Sequence, residues 1–122
     1  MTIHPTLFAL VLAVATPAVA QPGAESPRLN DEQKTLLHCS ATFALVSGRQ
    51  HAGDKAALAF PDITARGREY FVRALVQLMD EAGLDRDTVA RLVQAEAARL
   101  QDSPDLLEGM PACLASLDAS RL

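Results

Sequence analysis

Apolar residues recur along this chain at the three- and four-residue spacing of an α-helix, and no convincing strand pattern interrupts them. The first helix is predicted to begin after Asn30, whose side chain can cap it, with Gln33 completing a capping box. It is expected to run to about Ala52, with Gly53 just beyond its end. Its apolar stripe consists of Leu36, Cys39, Phe43 and Val46.

A second helix is predicted from near Asp62 to Ala82, where Gly83 ends it. Before it, residues 54–61 form a connection with room for one helical turn. The apolar side chains of this second helix sweep about two thirds of its circumference, which indicates burial on more than one side. We therefore expect it to be the central helix of the fold.

Two further helical segments complete the pattern. Asp85 is placed to cap a third helix, whose apolar face extends to Leu100. Residues 103–104 provide a Ser-Pro start for a fourth, in which Pro111 predicts a kink, or a split into two short helices, around Gly109. Because the loops are short, we predict an all-α fold: a small, mostly antiparallel four-helix bundle.

The N-terminal segment has the features of a signal peptide. An apolar run over residues 7–15 is too short for a membrane span, which needs about 20 residues. Small residues follow at Ala18 and Ala20, the two positions that a signal peptidase reads. We therefore predict a signal peptide over residues 1–20, cleaved after Ala20. The protein is expected to be periplasmic or secreted, with no membrane span after cleavage.

The rest of the chain divides into a leader and one domain. Residues 21–29 contain two prolines and a glycine without periodicity, which predicts a flexible leader. Residues 30–122 carry all four helical segments and are long enough for a single domain only. Nine arginines against two lysines, together with abundant alanine, are typical of a GC-rich genome, and we expect a bacterial one.

Cys39 and Cys113 are the only cysteines of the chain, and each lies on the apolar stripe of its own helix. In an exported protein, two core-facing cysteines predict one disulfide that joins the first helix to the last. The alternative is a pair of free core thiols that pack as small apolar groups. A redox-active pair has less support, because no C-x-x-C arrangement is present to lower the pKa of a thiol.

No catalytic or metal-binding constellation is predicted. His38 adjoins Cys39, but the helical periodicity places it with Thr42 and Arg49 on a polar face, so we interpret it as a solvated surface histidine. His51, further along the same helix, is at no metal-ligand spacing from it. The motifs of zinc proteases, serine hydrolases, P-loop and dinucleotide-binding proteins are missing from the sequence. We therefore expect no enzymatic activity, no metal and no cofactor.

Arg68 and Glu96 are two charged residues on apolar helix faces. Arg68 falls within the apolar arc of the second helix, and Glu96 falls in the middle of the apolar stripe of the third. If these helices fold back antiparallel, the two side chains come within one turn of each other. Because a buried charge is costly unless it is paired, an inter-helix salt bridge is a hypothesis with a physical motive. In the alternative, Arg68 extends to water and Glu96 pairs locally with Arg99.

In outline the chain resembles small exported all-helical proteins of Gram-negative bacteria that are cross-linked by one disulfide. Two examples are the acid-stress chaperones of the HdeA kind and the Tai-type immunity proteins that neutralise periplasmic toxins. The resemblance covers size, export, helicity and cysteine pairing, and it transfers no functional residue, since fold does not imply function.

The charge balance and the wide apolar arc together favour a binding function. With 11 basic and 15 acidic residues, the net charge of −4 argues against nucleic acid, which needs a concentrated basic face. The apolar arc of the second helix leaves surface for an envelope protein or a second copy of the chain. We therefore expect a protein-binding domain of the bacterial cell envelope. The alternatives are a stress chaperone, or a carrier of a small apolar ligand between the helices.

Overall fold

The computed structural model describes residues 27–122 and the single position Ala15. The predicted signal peptide, apart from that position, and most of the predicted leader lie outside the described residues. Residues 27–122 contain helices and no strand, so the all-α prediction is confirmed for this part of the chain. The helices are α1 (Asp31–His51), α2 (Lys55–Leu58), α3 (Thr64–Ala82), α4 (Arg86–Leu100), α5 (Asp105–Glu108) and α6 (Met110–Ala119).

The ends of the helices follow from local chemistry. Asn30 and Gln33 form the predicted capping box, with the Gln33 amide donating to Asn30 Oδ1 (2.8 Å) and the Asn30 amide to Gln33 Oε1 (3.0 Å). Gly53 and Gly83 both have positive φ, +80° and +64°, just after α1 and α3. That conformation is strained for residues with a Cβ, so glycine ends these helices sharply. The start of α4 is capped by Asp85, which accepts from the Thr88 amide at 2.7 Å.

The predicted interruption of the last helix is confirmed. The chain forms α5, passes Gly109, and resumes as α6 with Pro111 in its first turn. Proline is tolerated there because the first amides of a helix have no intrahelical acceptor, whereas inside a continuous helix it would remove a hydrogen bond.

The predicted disulfide is present. Cys39 of α1 and Cys113 of α6 are bonded, with their Cα atoms 5.2 Å apart, and both are buried. The bond joins the first and last helices within the main core. Nearby, Phe43 packs edge-on against Tyr70, with ring centroids 5.2 Å apart, and the Tyr70 hydroxyl pairs with Ser116 Oγ at 2.9 Å. These contacts join α1, α3 and α6.

The central helix is α1, and the prediction that α3 has that position is wrong. Helix α1 packs against all five other helices, and its residues 39–43 are buried without interruption. The physical reason is the size of Ser40, Ala41 and Thr42, which lets neighbouring helices approach α1 from several sides. The apolar arc of α3 is as wide as predicted, but part of it faces solvent.

Helices α1 and α3 run antiparallel along most of their lengths. At one end the Gln50 side chain accepts from the Ile63 amide (3.2 Å), and at the other Gln77 Nε2 donates to Glu32 (3.3 Å). Helix α4 packs mainly on α1 and much less on α3. The four longer helices are those predicted from the sequence, whereas their regular arrangement as a four-helix bundle stays a prediction.

Candidate functional site

Glu96 lies at a charge cluster that joins three helices, but its partners are not the one predicted. Its carboxylate accepts two hydrogen bonds from Arg99, Nη2 to Oε1 at 2.7 Å and Nε to Oε2 at 3.2 Å. His38 Nδ1 lies 2.8 Å from the same Oε1. Arg99 also reaches Asp105 of α5 at 3.5 Å. The predicted salt bridge between Arg68 and Glu96 is not formed, because α4 turns the Glu96 face toward α1 and not toward α3. The structure has the alternative arrangement, in which Glu96 pairs with Arg99 and Arg68 is exposed to water.

His38 is not the solvated surface histidine expected from the helical periodicity. Its side chain is 31% exposed, its Nδ1 pairs with Glu96, and its Nε2 would lie 3.1 Å from a Cβ added at Gly109. The face assigned as polar is covered by α4 and by the turn between α5 and α6. Thr42, one turn from His38 on the same face, is completely buried. The small residues next to Cys39 were the signal in the sequence that α1 is covered on this side too.

The Glu96 cluster makes stability depend on pH. Hydrogen bonds from Arg99 lower the pKa of Glu96 below its ordinary value of 4.5, against the opposing effect of burial, and His38 adds to the lowering. The folded state therefore binds the Glu96 proton less readily than the unfolded chain. The stabilisation is complete above about the unfolded pKa and is lost as the pH falls through the lowered folded pKa.

We expect Glu96→Gln to lower the free energy of unfolding near neutral pH by about 1 kcal/mol, since Arg99 is half exposed and the pair is partly screened. The difference from wild type should shrink at acid pH, where Glu96 is protonated in both states. Urea titrations between neutral and acid pH measure it. Glu108→Gln, at an exposed glutamate without an ion pair among residues 27–122, is the matched control. If Glu96→Gln lowers the free energy of unfolding by the same amount at every pH, the pH dependence does not come from Glu96.

A second polar cluster joins the end of α1 to the start of α3. Thr64 Oγ1 lies 3.2 Å from Ser47 Oγ and 3.1 Å from His51 Nε2, while Asp62 accepts from the Thr64 amide at 2.9 Å. That backbone bond, aided by the Thr64 hydroxyl, lowers the pKa of Asp62. Asp62 thus satisfies the first amide of α3, and the cluster joins the end of α1 to the start of α3. Among residues 27–122, no group of three or more His, Cys, Asp or Glu side chains is placed to hold a metal ion.

The exposed side of α3 carries two of the three large apolar residues that are exposed in the described part of the chain. Val72 and Val76 lie one turn apart and are 54% and 53% exposed. Three half-buried apolar residues of the same helix adjoin them, and we call the five together the outer face of α3. Its members are Phe71, Val72, Leu75, Val76 and Met79. Single exposed apolar residues are common, whereas a connected set on one helix marks an interaction surface.

A cleft of about 250 Å³ opens between α1 and α3 next to this face. Its walls are mainly apolar, and Phe71 belongs both to the cleft and to the outer face of α3. Ala44 and Gly67 are the two smallest residues of its lining. Glycine at position 67 allows α1 and α3 to approach closely, since an added Cβ would lie 3.0 Å from Phe43 Cβ and 3.1 Å from Ile63 Cγ1. The lining residues are Phe43, Ala44, Ser47, Ile63, Thr64, Gly67, Arg68 and Phe71.

Comparisons with protein-family models, with curated proteins and with solved structures find no match for this chain. None of the helices within residues 27–122 is long and apolar enough to cross a bilayer. A functional assignment therefore depends on the surfaces described above.

Proposed function

We propose that this protein acts by binding another protein through the outer face of α3, as an exported component of the bacterial cell envelope. The observation that carries the proposal is the exposure of Val72 and Val76 on a helix whose opposite side is part of the core. Burying two valines and the exposed parts of Phe71, Leu75 and Met79 supplies a hydrophobic gain that the folded monomer leaves unused.

The surroundings of this face suit a protein partner. Glu69, Arg73, Asp80 and Glu81 are exposed polar residues along its edge, and an apolar centre with a polar rim is the usual anatomy of a protein interface. The partner is an envelope protein or a second copy of the chain. No catalysis and no nucleic acid binding form part of the proposal.

The exposed face also separates this proposal from the chaperone alternative. A stress chaperone that hides its apolar surface until it partly unfolds would keep Val72 and Val76 covered in the folded state. These residues are open while the disulfide and the core are intact. A partner that recognises the folded domain is the simpler explanation.

The proposal is tested with Val72→Ser/Val76→Ser in the oxidised mature protein. Size exclusion with light scattering reports self-association, and capture from envelope extract reports other partners. We expect the double variant to lose the partner or the dimer while keeping its unfolding midpoint, because both side chains are exposed. Leu58→Ser, at an equally exposed leucine (55%) on α2, is the matched control and should bind like wild type. The proposal is contradicted if wild type, the double variant and Leu58→Ser are all monomeric and capture the same proteins.

A carrier of a small ligand is the second candidate, and the cleft between α1 and α3 is the observation that favours it. From the sequence, a carrier would be expected to have a closed apolar cavity between its helices. The cleft is open on one side, so the ligand would keep part of its surface in water.

A further inference from the structure

Arg68 is the arginine of α3 that has no partner within residues 27–122. Arg66 pairs with Asp118 at 2.9 Å, and Arg73 pairs with Glu69 at 3.4 Å, whereas Arg68 forms no ion pair with the described residues. The sequence places Arg68 on an apolar arc, and in the structure this residue is exposed to water. Since Glu96 is held by Arg99 and His38, Arg68 has no counter-charge among the described residues.

Arg68 is also the only charged residue among those that line the cleft between α1 and α3. It lies one turn from Thr64 and nearly one turn from Phe71, so its side chain belongs to the middle of the cleft's rim. Phe43, Ile63 and Phe71 provide an apolar wall beside it. A site of this composition offers burial for an apolar group and one positive charge for an anion.

The ends of the cleft decide how an anion would be oriented. At the Thr64 end, the hydroxyls of Ser47 and Thr64 already pair with each other, and Thr64 pairs with His51. The hydroxyls at this end are therefore already engaged, and Arg68 is the charged group that the cleft offers to an anion. The favourable position for a negative group is therefore beside Arg68, with the apolar part against the phenylalanine rings.

We propose that the cleft between α1 and α3 binds a small monocarboxylate with an apolar body, whose carboxylate pairs with Arg68. The inference rests on the carrier candidate, and its site shares Phe71 with the outer face of α3. A cleft of about 250 Å³ limits the ligand to a short aliphatic chain or a single aromatic ring. A cationic ligand is excluded by Arg68, and a neutral one would leave its charge unused.

The test compares octanoate with octanol, which share the same chain and differ in charge, by titration calorimetry on the oxidised mature protein. We expect octanoate to bind about three- to fivefold more tightly, the range of an exposed ion pair, and the preference to weaken in high salt. Arg68→Met should remove the preference for octanoate, and Arg68→Lys should retain part of it. Arg73→Met, at an arginine of the same helix that does not line the cleft, should leave it intact.

The outcomes separate the inference from the candidate it rests on. If both compounds bind equally to wild type, or if the preference for octanoate survives Arg68→Met, the carboxylate inference is wrong and the apolar cleft remains a binding site. If neither compound binds, the carrier candidate fails as well. Amide chemical shifts at Phe43, Gly67 and Phe71 should move on binding, and changes confined to other helices would also overturn the inference.

Discussion

Removal of the Cys39–Cys113 disulfide is expected to lower the free energy of unfolding by roughly 4 kcal/mol, according to the chain-entropy model. The bond closes a loop between residues that are 74 positions apart, and the unfolded chain therefore loses many extended conformations when it is oxidised. Single domains have a total stability of about 5–15 kcal/mol, so the loss is a large share of the whole.

Urea unfolding of the oxidised protein, the reduced protein and Cys39→Ala/Cys113→Ala measures this effect. The reduced and the double-alanine forms should both unfold at much lower urea, and the double variant should be insensitive to reductant. Because both sulfurs are buried, the alanine variant also loses some packing, and the reduced wild type separates the two contributions. Equal midpoints for the oxidised and reduced wild type would show that the bond contributes nothing to stability.

Phe43→Ala is expected to lower the free energy of unfolding by about 3–5 kcal/mol, an effect similar in size to the loss of the disulfide. Phe43 is 1% exposed on the central helix, contacts Tyr70 edge-on, and lies within van der Waals distance of the Gly67 position. Truncation removes a ring at the point where α1 and α3 approach most closely. The rigid helices on both sides can collapse only partly into the space, so a cavity remains.

Denaturant titration of Phe43→Ala beside Phe71→Ala checks this prediction. Phe71 is only half-buried, so its removal should cost clearly less. Phe43→Leu should retain most of the stability, because it keeps much of the apolar volume. Equal losses for the two alanine variants would contradict the assignment of α1 as the packing centre.

Features that depend on neighbouring residues could be predicted from the sequence. The capping box at Asn30, the glycine ends at Gly53 and Gly83, and the interruption at Pro111 follow from backbone chemistry within a few residues. The disulfide was predictable for a different reason. With two cysteines on apolar stripes and export predicted from the N-terminal segment, few alternatives remained.

Pairings between helices could not be predicted in the same way. The wide apolar arc of α3 suggested a central helix, but a wide arc describes equally a helix that keeps apolar residues exposed. Because α3 was predicted to be the central helix, Glu96 was predicted to face Arg68 of α3. In the structure it faces His38 of α1. Side-chain size was the better guide, because the small residues around Cys39 permit close packing on every side of α1.

The cleft and the exposure of Val72 and Val76 could not be predicted from the sequence pattern either. Whether Val72 and Val76 face a neighbour or solvent depends on where α4 packs, and α4 lies mainly on α1. The cleft lies between α1 and α3, so its composition follows from the register of the two helices. Helical periodicity specifies a face, but it does not specify which neighbour covers that face.

The central claim, that the outer face of α3 is the protein-binding surface, is tested most directly by site-specific photo-crosslinking. Photo-reactive benzoylphenylalanine is introduced in place of Val76 or, as a control, in place of Leu58, and each oxidised protein is irradiated in envelope extract from the source organism. The account predicts a discrete adduct from position 76, absent from position 58 and lost when Val72 is also changed to serine. Adducts of equal yield from both positions, or none from position 76, would contradict it.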